Sequence, residues 1–126
     1  MIELVDLRYV HLGASSAVDA SKWAQEIYGL EEVDRDNGRI YLRGDDRDHN
    51  ICYFDGDPKD NTVGVEVADY DALDRAAAHL EANGVDVTWG DAEGAAIRRC
   101  MKYLTFKDPT GNKFDLVVRP FDSGRR

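Results

Sequence analysis

Apolar residues along the chain follow two spacings, which divide it into predicted strands and predicted helices. Alternation of apolar and polar residues is typical of strands, and apolar residues three or four positions apart are typical of amphipathic helices. Alternation or a short apolar run predicts strands at residues 4–12, 30–33, 39–43, 50–54, 62–67, 85–89, 103–106 and 113–118. The wider spacing predicts one helix over residues 17–28 and another between Asp69 and Asn83. Residues 90–99 are expected to form a loop that contains at most one helical turn, at 95–97.

Each predicted helix has one apolar stripe that we expect to face a core. The stripe of the first helix consists of Ala20, Trp23, Ala24 and Ile27. The stripe of the second helix consists of Leu73, Ala76, Ala77 and Leu80. Ser15 or Ser16 is the expected N-cap of the first helix, and Asp69 is the expected N-cap of the second.

The order of these elements is βαβββ twice, joined by a polar linker, which indicates an internal duplication. Tyr9 stands as far before Ser16 in the first half as Thr62 stands before Asp69 in the second. The pattern therefore predicts one α+β domain over residues 1–126. Its parts are module one at 1–56, a linker at 57–61, module two at 62–119 and a C-terminal arm at 120–126.

The chain is acidic, with a net charge of −9 from 25 acidic and 16 basic residues. Such a surface repels phosphate backbones and anionic lipid heads, which argues against nucleic-acid and membrane-surface partners. The N-terminus is charged early and does not resemble a signal peptide, and no apolar stretch approaches the length of a membrane span. The two cysteines, Cys52 and Cys100, form no Cys-x-x-Cys pair, so we expect reduced, partly buried thiols in a cytoplasmic protein.

Three stretches of the sequence carry a family resemblance. They are YVHLGASS at 9–16, TVGVEVADYDAL at 62–73 and FKDPTGNKFDL at 106–116. On these stretches the chain resembles the vicinal-oxygen-chelate superfamily, which includes glyoxalase I, bleomycin-resistance proteins and type I extradiol dioxygenases. The resemblance spans nearly the whole chain and implies an α+β fold in which tandem βαβββ modules form a curled mixed sheet.

Within this superfamily, residues 117–126 are similar to the arm that leads to the C-terminal domain of an extradiol ring-cleaving dioxygenase. This similarity implies the non-catalytic, metal-free N-terminal domain of an enzyme that acts on catechols such as dihydroxybiphenyls in aromatic degradation. It implies a catalytic C-terminal domain or a homodimer partner, and Fe(II) in the intact enzyme but no cofactor for this chain. Two histidines and a glutamate hold that iron in ring-cleaving members and leave positions open for catecholate and dioxygen.

The resemblance also identifies the positions at which metal-binding members carry their ligands. These positions are Tyr9, Thr62 and Asp115 here, in place of a histidine, a histidine or glutamate, and a glutamate. A phenol, a hydroxyl and a single carboxylate are a poor set for Fe(II), so we expect no metal and no catalytic residue in this chain. His11 shares the face of Tyr9 by strand alternation and is a candidate pocket residue or a hydrogen-bonded core residue.

The remaining polar residues have simpler expected roles. His49 is expected in a solvated turn with an acidic partner, His79 on an exposed helix face, and the cluster of Arg98, Arg99 and Lys102 in a solvated loop. An acid–base role for Glu66 would need a raised pKa, and the serines before the first helix have no base positioned to activate them.

Two alternatives to the non-catalytic domain stay open. A stand-alone, metal-free cup can bind a small ligand, as bleomycin-resistance relatives do, and Trp23 and Trp89 would suit a cationic aromatic compound. A metalloenzyme could instead use Asp115 with His11 or His49, in a site completed across a dimer. A ligand-dependent change in tryptophan fluorescence would favour the binding protein, and retention of a metal would favour the metalloenzyme, over the non-catalytic domain.

Overall fold

A computed structural model describes residues 2–122, so residues 123–126 of the predicted C-terminal arm lie outside the described part of the chain. Two βαβββ runs follow each other, and a third helix is inserted into the second run. The elements are β1 (Asp6–Ala14), α1 (Ala17–Tyr28), β2 (Glu31–Asp36), β3 (Arg39–Arg43), β4 (Ile51–Asp55), β5 (Asn61–Glu66), α2 (Tyr70–Ala82), β6 (Thr88–Trp89), α3 (Ala92–Arg98), β7 (Lys102–Lys107) and β8 (Lys113–Val118). The predicted α+β class with tandem βαβββ order is confirmed.

The described chain divides into two compact units, whose boundaries fall inside strands. The N-module unit comprises residues 9–62 with Asp122, and the C-module unit comprises residues 2–8 and 63–121. The first residues of β1 therefore belong to the C-module unit and its remainder to the N-module unit. Likewise, Asn61 and Thr62 of β5 belong to the N-module unit and the rest of β5 to the C-module unit. The module boundaries expected from the repeat stay a prediction.

The N-module unit contains strands in the order β2-β3-β4-β1. β1 runs parallel to β4, with Val10 opposite Ile51, while β2, β3 and β4 are antiparallel neighbours. The sheet is mixed because this parallel pair lies beside antiparallel pairs. Parallel neighbours need a long connection, which α1, β2 and β3 supply between β1 and β4. The core between α1 and the sheet is formed by Ala17, Ala24, Ile40, Leu42 and Tyr53.

The C-module unit contains strands in the order β5-β8-β7-β6. β7 and β8 form a regular antiparallel hairpin from Lys102↔Val118 to Lys107↔Lys113. Helix α2 buries the predicted stripe against this sheet, which confirms that prediction. The core consists of Val67, Ala72, Leu73, Ala76, Ala77, Leu80, Leu104, Leu116 and Val118.

The stripe predicted for α1 is wrong at its two large residues. Trp23 is 50% exposed and Ile27 is 62% exposed. The buried positions of α1 are instead Ala17, Ser21 and Ala24. Small residues let the helix approach the sheet closely, so the larger apolar side chains lie beside the contact rather than in it.

Two further predictions need correction in the C-module unit. Residues 90–99, expected as a loop with at most a helical turn, contain helix α3, which Asp91 caps through the backbone N–H of Gly94. The strand predicted at 85–89 pairs only over Thr88 and Trp89, because Val85 and Val87 pack against the core under α2. In the described range, no helix combines the length and the apolar character needed to cross a membrane.

Candidate functional site

A buried group of polar and aromatic side chains lies on the N-module sheet, on the face that strand alternation places opposite α1. We call it the histidine cluster, and its members are Tyr9, His11, Tyr41, Asp48 and His49. None of these residues is more than 6% exposed. Strands β1 and β3 supply three of them, and the segment directly before β4 supplies the other two.

Hydrogen bonds join the two imidazoles of the cluster to one carboxylate. His11 Nε2 lies 2.9 Å from His49 Nε2, and His49 Nδ1 lies 3.0 Å from Asp48 Oδ2. A neutral imidazole has one donor nitrogen and one acceptor nitrogen. If His49 donates from Nδ1 to the carboxylate, its Nε2 accepts, and His11 donates from Nε2. Asp48 therefore sets the proton arrangement of both rings.

Aromatic rings enclose the imidazole pair. The Tyr9 ring lies 4.6 Å from His11 and 5.3 Å from His49, and the Tyr41 ring meets His49 edge-on at 4.9 Å. These contacts replace water around the rings with packed aromatic surface. His11 is thus a hydrogen-bonded, buried residue. His49 has the expected acidic partner, but its burial contradicts the solvated turn expected for it.

The other two family ligand positions are occupied differently. Thr62 is a half-buried residue of β5 in the N-module unit. Asp115 is a fully buried residue of β8 in the C-module unit. Its Oδ2 accepts a hydrogen bond from Arg98 Nε at 2.7 Å, in an ion pair whose arginine side chain is 21% exposed.

Arg98 is held in place by three contacts. Besides Asp115, it donates to the backbone oxygen of Gly94 at 3.1 Å, and its guanidinium lies 4.0 Å above the Tyr103 ring. A planar guanidinium suits this combination of carboxylate pairing and ring stacking. The solvated loop expected for Arg98 is therefore wrong, since the residue ends helix α3 and binds a buried carboxylate.

Both cysteines are free thiols and both are buried. The predicted reduced thiols agree with this arrangement, although their burial is more complete than expected. Burial raises the pKa of Cys100 from its usual value to about 12, partly opposed by the nearby Arg98 charge. The thiolate is the nucleophilic form, so Cys100 is an inert core residue at neutral pH.

The acid and serines considered from the sequence have structural contacts. Glu66 lies 3.7 Å from Arg8 in an ion pair. The Ser16 hydroxyl accepts from the backbone N–H of Asp19 as the N-cap of α1. His79 is exposed on α2, as expected.

Between residues 2 and 122, no group of three or more histidine, cysteine, aspartate or glutamate side chains is arranged to hold a metal ion.

Several of these contacts have no local signal in the sequence. Strand alternation identifies His11 as a neighbour of Tyr9, but His49 reaches His11 only through the parallel pairing of β1 and β4. Arg98 stands 17 positions before Asp115, so a pairing rule within one helix or one hairpin does not predict it. The register of β3 on β4 would be needed to identify Tyr41.

Comparison with known proteins places this arrangement in context. No protein-family model matches the sequence. The biphenyl-2,3-diol 1,2-dioxygenase of Sphingomonas paucimobilis is 31% identical over 134 aligned positions, covering 99% of this chain and 45% of that protein. The chain thus spans less than half the length of this curated relative.

Solved structures that are similar to this chain are also those of dioxygenases, and the chain again covers less than half of each. A catechol 2,3-dioxygenase is 28% identical with a TM-score of 0.89, covering 100% of this chain and 43% of that one. The 2,2',3-trihydroxybiphenyl 1,2-dioxygenase of Sphingomonas wittichii strain RW1 is 27% identical with a TM-score of 0.79, covering 95% and 42%. A halotolerant catechol dioxygenase, at 19% identity and a TM-score of 0.89, shares the fold. Over nearly its whole length, the chain corresponds in sequence and fold to the N-terminal half of the extradiol ring-cleaving dioxygenases.

Proposed function

We propose that this chain is the non-catalytic N-terminal domain of an extradiol dioxygenase that opens the ring of a catechol or a dihydroxybiphenyl. One observation carries the proposal. The match to biphenyl-2,3-diol 1,2-dioxygenase covers 99% of this chain but only 45% of the relative. A match of this kind supports a domain whose chemistry depends on a second, C-terminal domain.

Fe(II) would be the cofactor of the intact enzyme, because ring cleavage needs a metal with positions open for both catecholate and dioxygen. The family ligand positions of this chain do not fit that ion. Tyr9 and Thr62 offer a phenol and a hydroxyl, whereas such sites use imidazole and carboxylate. The third position, Asp115, is already bonded to Arg98. We therefore assign the iron to the partner domain.

The role left to this chain is to support the catalytic domain. Each unit has buried polar side chains that are paired with each other, His11 with His49 in one and Arg98 with Asp115 in the other. Paired polar groups of this kind favour a rigid domain that supports its neighbour. The proposed setting is cytoplasmic, and the proposed partner is the catalytic C-terminal domain or a second copy in a homodimer. The small aromatic substrate would bind at the catalytic domain.

The test compares the chain alone with the complete reading frame that contains it. Both proteins are incubated with Fe(II) under anaerobic conditions, desalted, and analysed for bound iron. Dioxygen uptake is then measured with catechol and with 2,3-dihydroxybiphenyl. We expect stoichiometric iron and substrate-dependent uptake for the complete protein, and neither for the chain alone. Asp115→Asn serves as the matched variant and should leave the iron content of the chain alone unchanged.

The same measurements separate the two alternatives. Stoichiometric iron in the isolated chain, lost in Asp115→Asn or in a variant of His11 or His49, would overturn the proposal in favour of a metalloenzyme. A saturable thermal shift of the isolated chain with catechol, in the absence of iron, would favour a stand-alone binding protein. Light scattering on the same samples reports whether either species is a dimer.

A further inference from the structure

A groove of about 610 Å³ runs along the edge of the C-module sheet at which β6 lies. One wall is formed by residues 83–88, which lead from α2 into β6, and the other by residues 105–109 and Lys113 of the β7–β8 hairpin. The volume is in the range of sites that hold small ligands. None of the histidine cluster or of the Arg98–Asp115 pair lines this groove.

Strand β6 is too short to cover the whole edge of β7. Its pairing with β7 stops at Thr88↔Thr105. Before Thr88 the chain turns towards the core, against which Val85 and Val87 pack. Within residues 2–122, the last two residues of β7 thus have a neighbouring strand only on the β8 side.

The main-chain groups of Lys107 point to this open edge. In an antiparallel pair, residues that bond to the partner strand alternate with residues whose N–H and C=O point away from it. The Asp108 N–H donates to Asn112 O at 3.0 Å, in register with the β7–β8 ladder, so the preceding residue, Lys107, points away from β8. The start of β7 agrees, because Tyr103 O accepts from the Gly90 N–H at 3.0 Å on the β6 side. An edge residue in this orientation is a template for a further strand.

Side chains on the two faces of β7 differ in chemistry beside the groove. Phe106 lies on the α2 face, where Phe106 and Val85 both pack against the core and both line the groove. Lys107 points to the opposite face by strand alternation and is exposed. Neighbouring residues of an extended segment also point to opposite faces. A strand placed beside β7 therefore reaches both side chains, which a ligand confined to one face does not.

Two carboxylates line the groove and differ in their surroundings. Asp108 Oδ1 accepts from the backbone N–H groups of Thr110 and Asn112 at 3.0 and 2.9 Å, which turns this carboxylate into the tight turn. Asp86, on the opposite wall, is exposed and opposes an acidic ligand. A preference for acidic residues therefore depends on Lys107 and is weakened by Asp86.

We propose that this edge binds an extended segment of another protein chain, which adds as an antiparallel strand beside the end of β7 and continues the line of β6. The main chain of the segment bonds to the N–H and C=O of Lys107. One apolar side chain lies against Val85 and Phe106. The next residue, directly opposite Lys107, is an aspartate or a glutamate, because opposite charges at opposed positions stabilise a strand pair. This interaction goes beyond the proposed dioxygenase function and does not depend on it.

The experiment is a titration of the isotopically labelled chain with synthetic peptides, followed by amide NMR. The probe is the acetylated and amidated peptide Ser-Thr-Val-Glu-Val-Thr-Ser. One control peptide is N-methylated at the glutamate, which removes its main-chain donor, and another carries lysine in place of the glutamate. We expect saturable shifts confined to residues 83–88 and 105–109. The N-methylated peptide should bind at least about tenfold more weakly and the lysine peptide at least about threefold more weakly.

Hydrogen exchange gives a readout that side-chain contact alone does not move. The Lys107 N–H gains a main-chain acceptor from the peptide, so its exchange should slow at least about tenfold at saturation. The Asp108 N–H already has Asn112 O as its acceptor, so its exchange should slow much less. The ratio of the two rates therefore reports strand addition at this edge.

Variants assign the charge effect to the groove. Lys107→Gln should weaken binding of the glutamate peptide about threefold and remove the preference over the lysine peptide. Lys22→Gln on α1, also at an exposed position, is the matched control and should change nothing. Asp86→Asn should strengthen binding of the glutamate peptide, because it removes the opposing carboxylate. The amide spectrum of each variant reports its folding, and the comparison of the three peptides needs no variant.

Several outcomes would contradict the proposal. Shifts that do not saturate, or that are spread over the chain, would show that no site exists. Equal affinity for the N-methylated peptide, or an unchanged exchange rate at Lys107, would rule out strand addition. Equal affinity for the lysine peptide would rule out the acidic class. Concentration-dependent shifts of the same residues without any peptide would assign this edge to a second copy of the chain instead.

Discussion

The two units bury polar side chains on sheets of the same βαβββ origin, but by different chemistry. In the N-module unit, two imidazoles bond to each other and to Asp48, inside an aromatic shell. In the C-module unit, a fully buried carboxylate, Asp115, is paired with Arg98. The imidazole pair of the N-module unit can be neutral, whereas the C-module unit contains an ion pair with a fully buried carboxylate. Two modules of the same fold can therefore carry different polar groups at buried sheet positions. The free energy of unfolding that is lost when one partner is removed then differs widely between the modules.

That cost depends on what remains after one partner is removed. A neutral buried group that loses its partner costs about 1–3 kcal/mol, which is the desolvation penalty of one donor or acceptor. A buried charge that loses its counter-ion costs about 3–5 kcal/mol. The C-module unit should therefore be the more sensitive of the two to a single substitution in its polar pair.

Arg98→Met should produce the largest effect. It leaves Asp115 without its guanidinium at a position that is 0% exposed, and we expect the free energy of unfolding to fall by about 3–5 kcal/mol in urea titrations. Arg75→Met, on the exposed side of α2, is the matched control and should change stability by less than about 0.5 kcal/mol.

A double variant sharpens this result. In Arg98→Met with Asp115→Leu neither member of this pair carries a charge, so at least half of the lost stability should return. A single variant as stable as the control, or a double variant less stable than Arg98→Met, would contradict the idea that an uncompensated charge dominates.

The apolar faces of α1 and α2 provide the second comparison. Leu73 of α2 is 0% exposed, and Leu73→Ala should cost about 2–5 kcal/mol of unfolding free energy. Ile27 belongs to the predicted stripe of α1 but is 62% exposed, so Ile27→Ala should stay within about 0.5 kcal/mol of the parent. A loss of similar size in both variants would restore the original prediction for α1.

These helices show how far the sequence alone reaches. The bounds of α1 are predicted correctly, because spacing and capping are local. The buried face of α1 is predicted only in part: Ala24 is buried and Ala20 packs against the core, but Trp23 and Ile27 are exposed. Ala17, Ser21 and Ala24 form an equally regular stripe of smaller residues, and that stripe is the buried one. Which stripe meets the sheet depends on how closely the two surfaces can approach, and spacing carries no information about that distance.

The candidate site, like the buried face of α1, was predictable from the sequence only in part. Alternation along β1 places Tyr9 and His11 on one face, and the family resemblance singles out Asp115. The partners of these residues come from elsewhere in the chain. His49 meets His11 because β1 and β4 are parallel neighbours, and Arg98 meets Asp115 because α3 forms where a loop was expected. Residue types were thus predictable, while their pairing required the topology.

The imidazole pair is expected to show an intermediate effect. His11→Phe keeps a ring of similar shape but removes the partner of His49 Nε2, at a cost of about 1–3 kcal/mol in the free energy of unfolding. His79→Phe, at an exposed position of α2, is the matched control and should be nearly neutral.

The proton arrangement of the pair can be measured directly. Long-range ¹H–¹⁵N spectra should show His49 protonated at Nδ1 and His11 protonated at Nε2, because Asp48 accepts from the former. The opposite tautomer of His49 would contradict the role of Asp48. In a double-mutant cycle, His11→Phe and His49→Phe should be non-additive, since each removes the same hydrogen bond.

The smallest expected difference lies at the two helix N-caps. Asp69 Oδ1 accepts from the Ala72 N–H at 2.7 Å, whereas Ser16 Oγ accepts from the Asp19 N–H at 3.2 Å. A charged cap with a short hydrogen bond also interacts with the helix dipole. We therefore expect Asp69→Ala to cost about 1–2 kcal/mol and Ser16→Ala about 0.5 kcal/mol.

A second acceptor explains why α1 should tolerate the loss of Ser16. Asp55 Oδ1 accepts from the Ala17 N–H at 2.8 Å, so one N-terminal amide of α1 keeps a charged partner when the serine hydroxyl is removed. The cost of Ser16→Ala should consequently rise in an Asp55→Asn background, because an amide oxygen carries no charge to interact with the dipole. Urea titrations of the two single variants and the double variant measure this dependence. Equal costs of Ser16→Ala in both backgrounds would show that the two caps act independently, and that the difference between the helices comes from the cap residue alone.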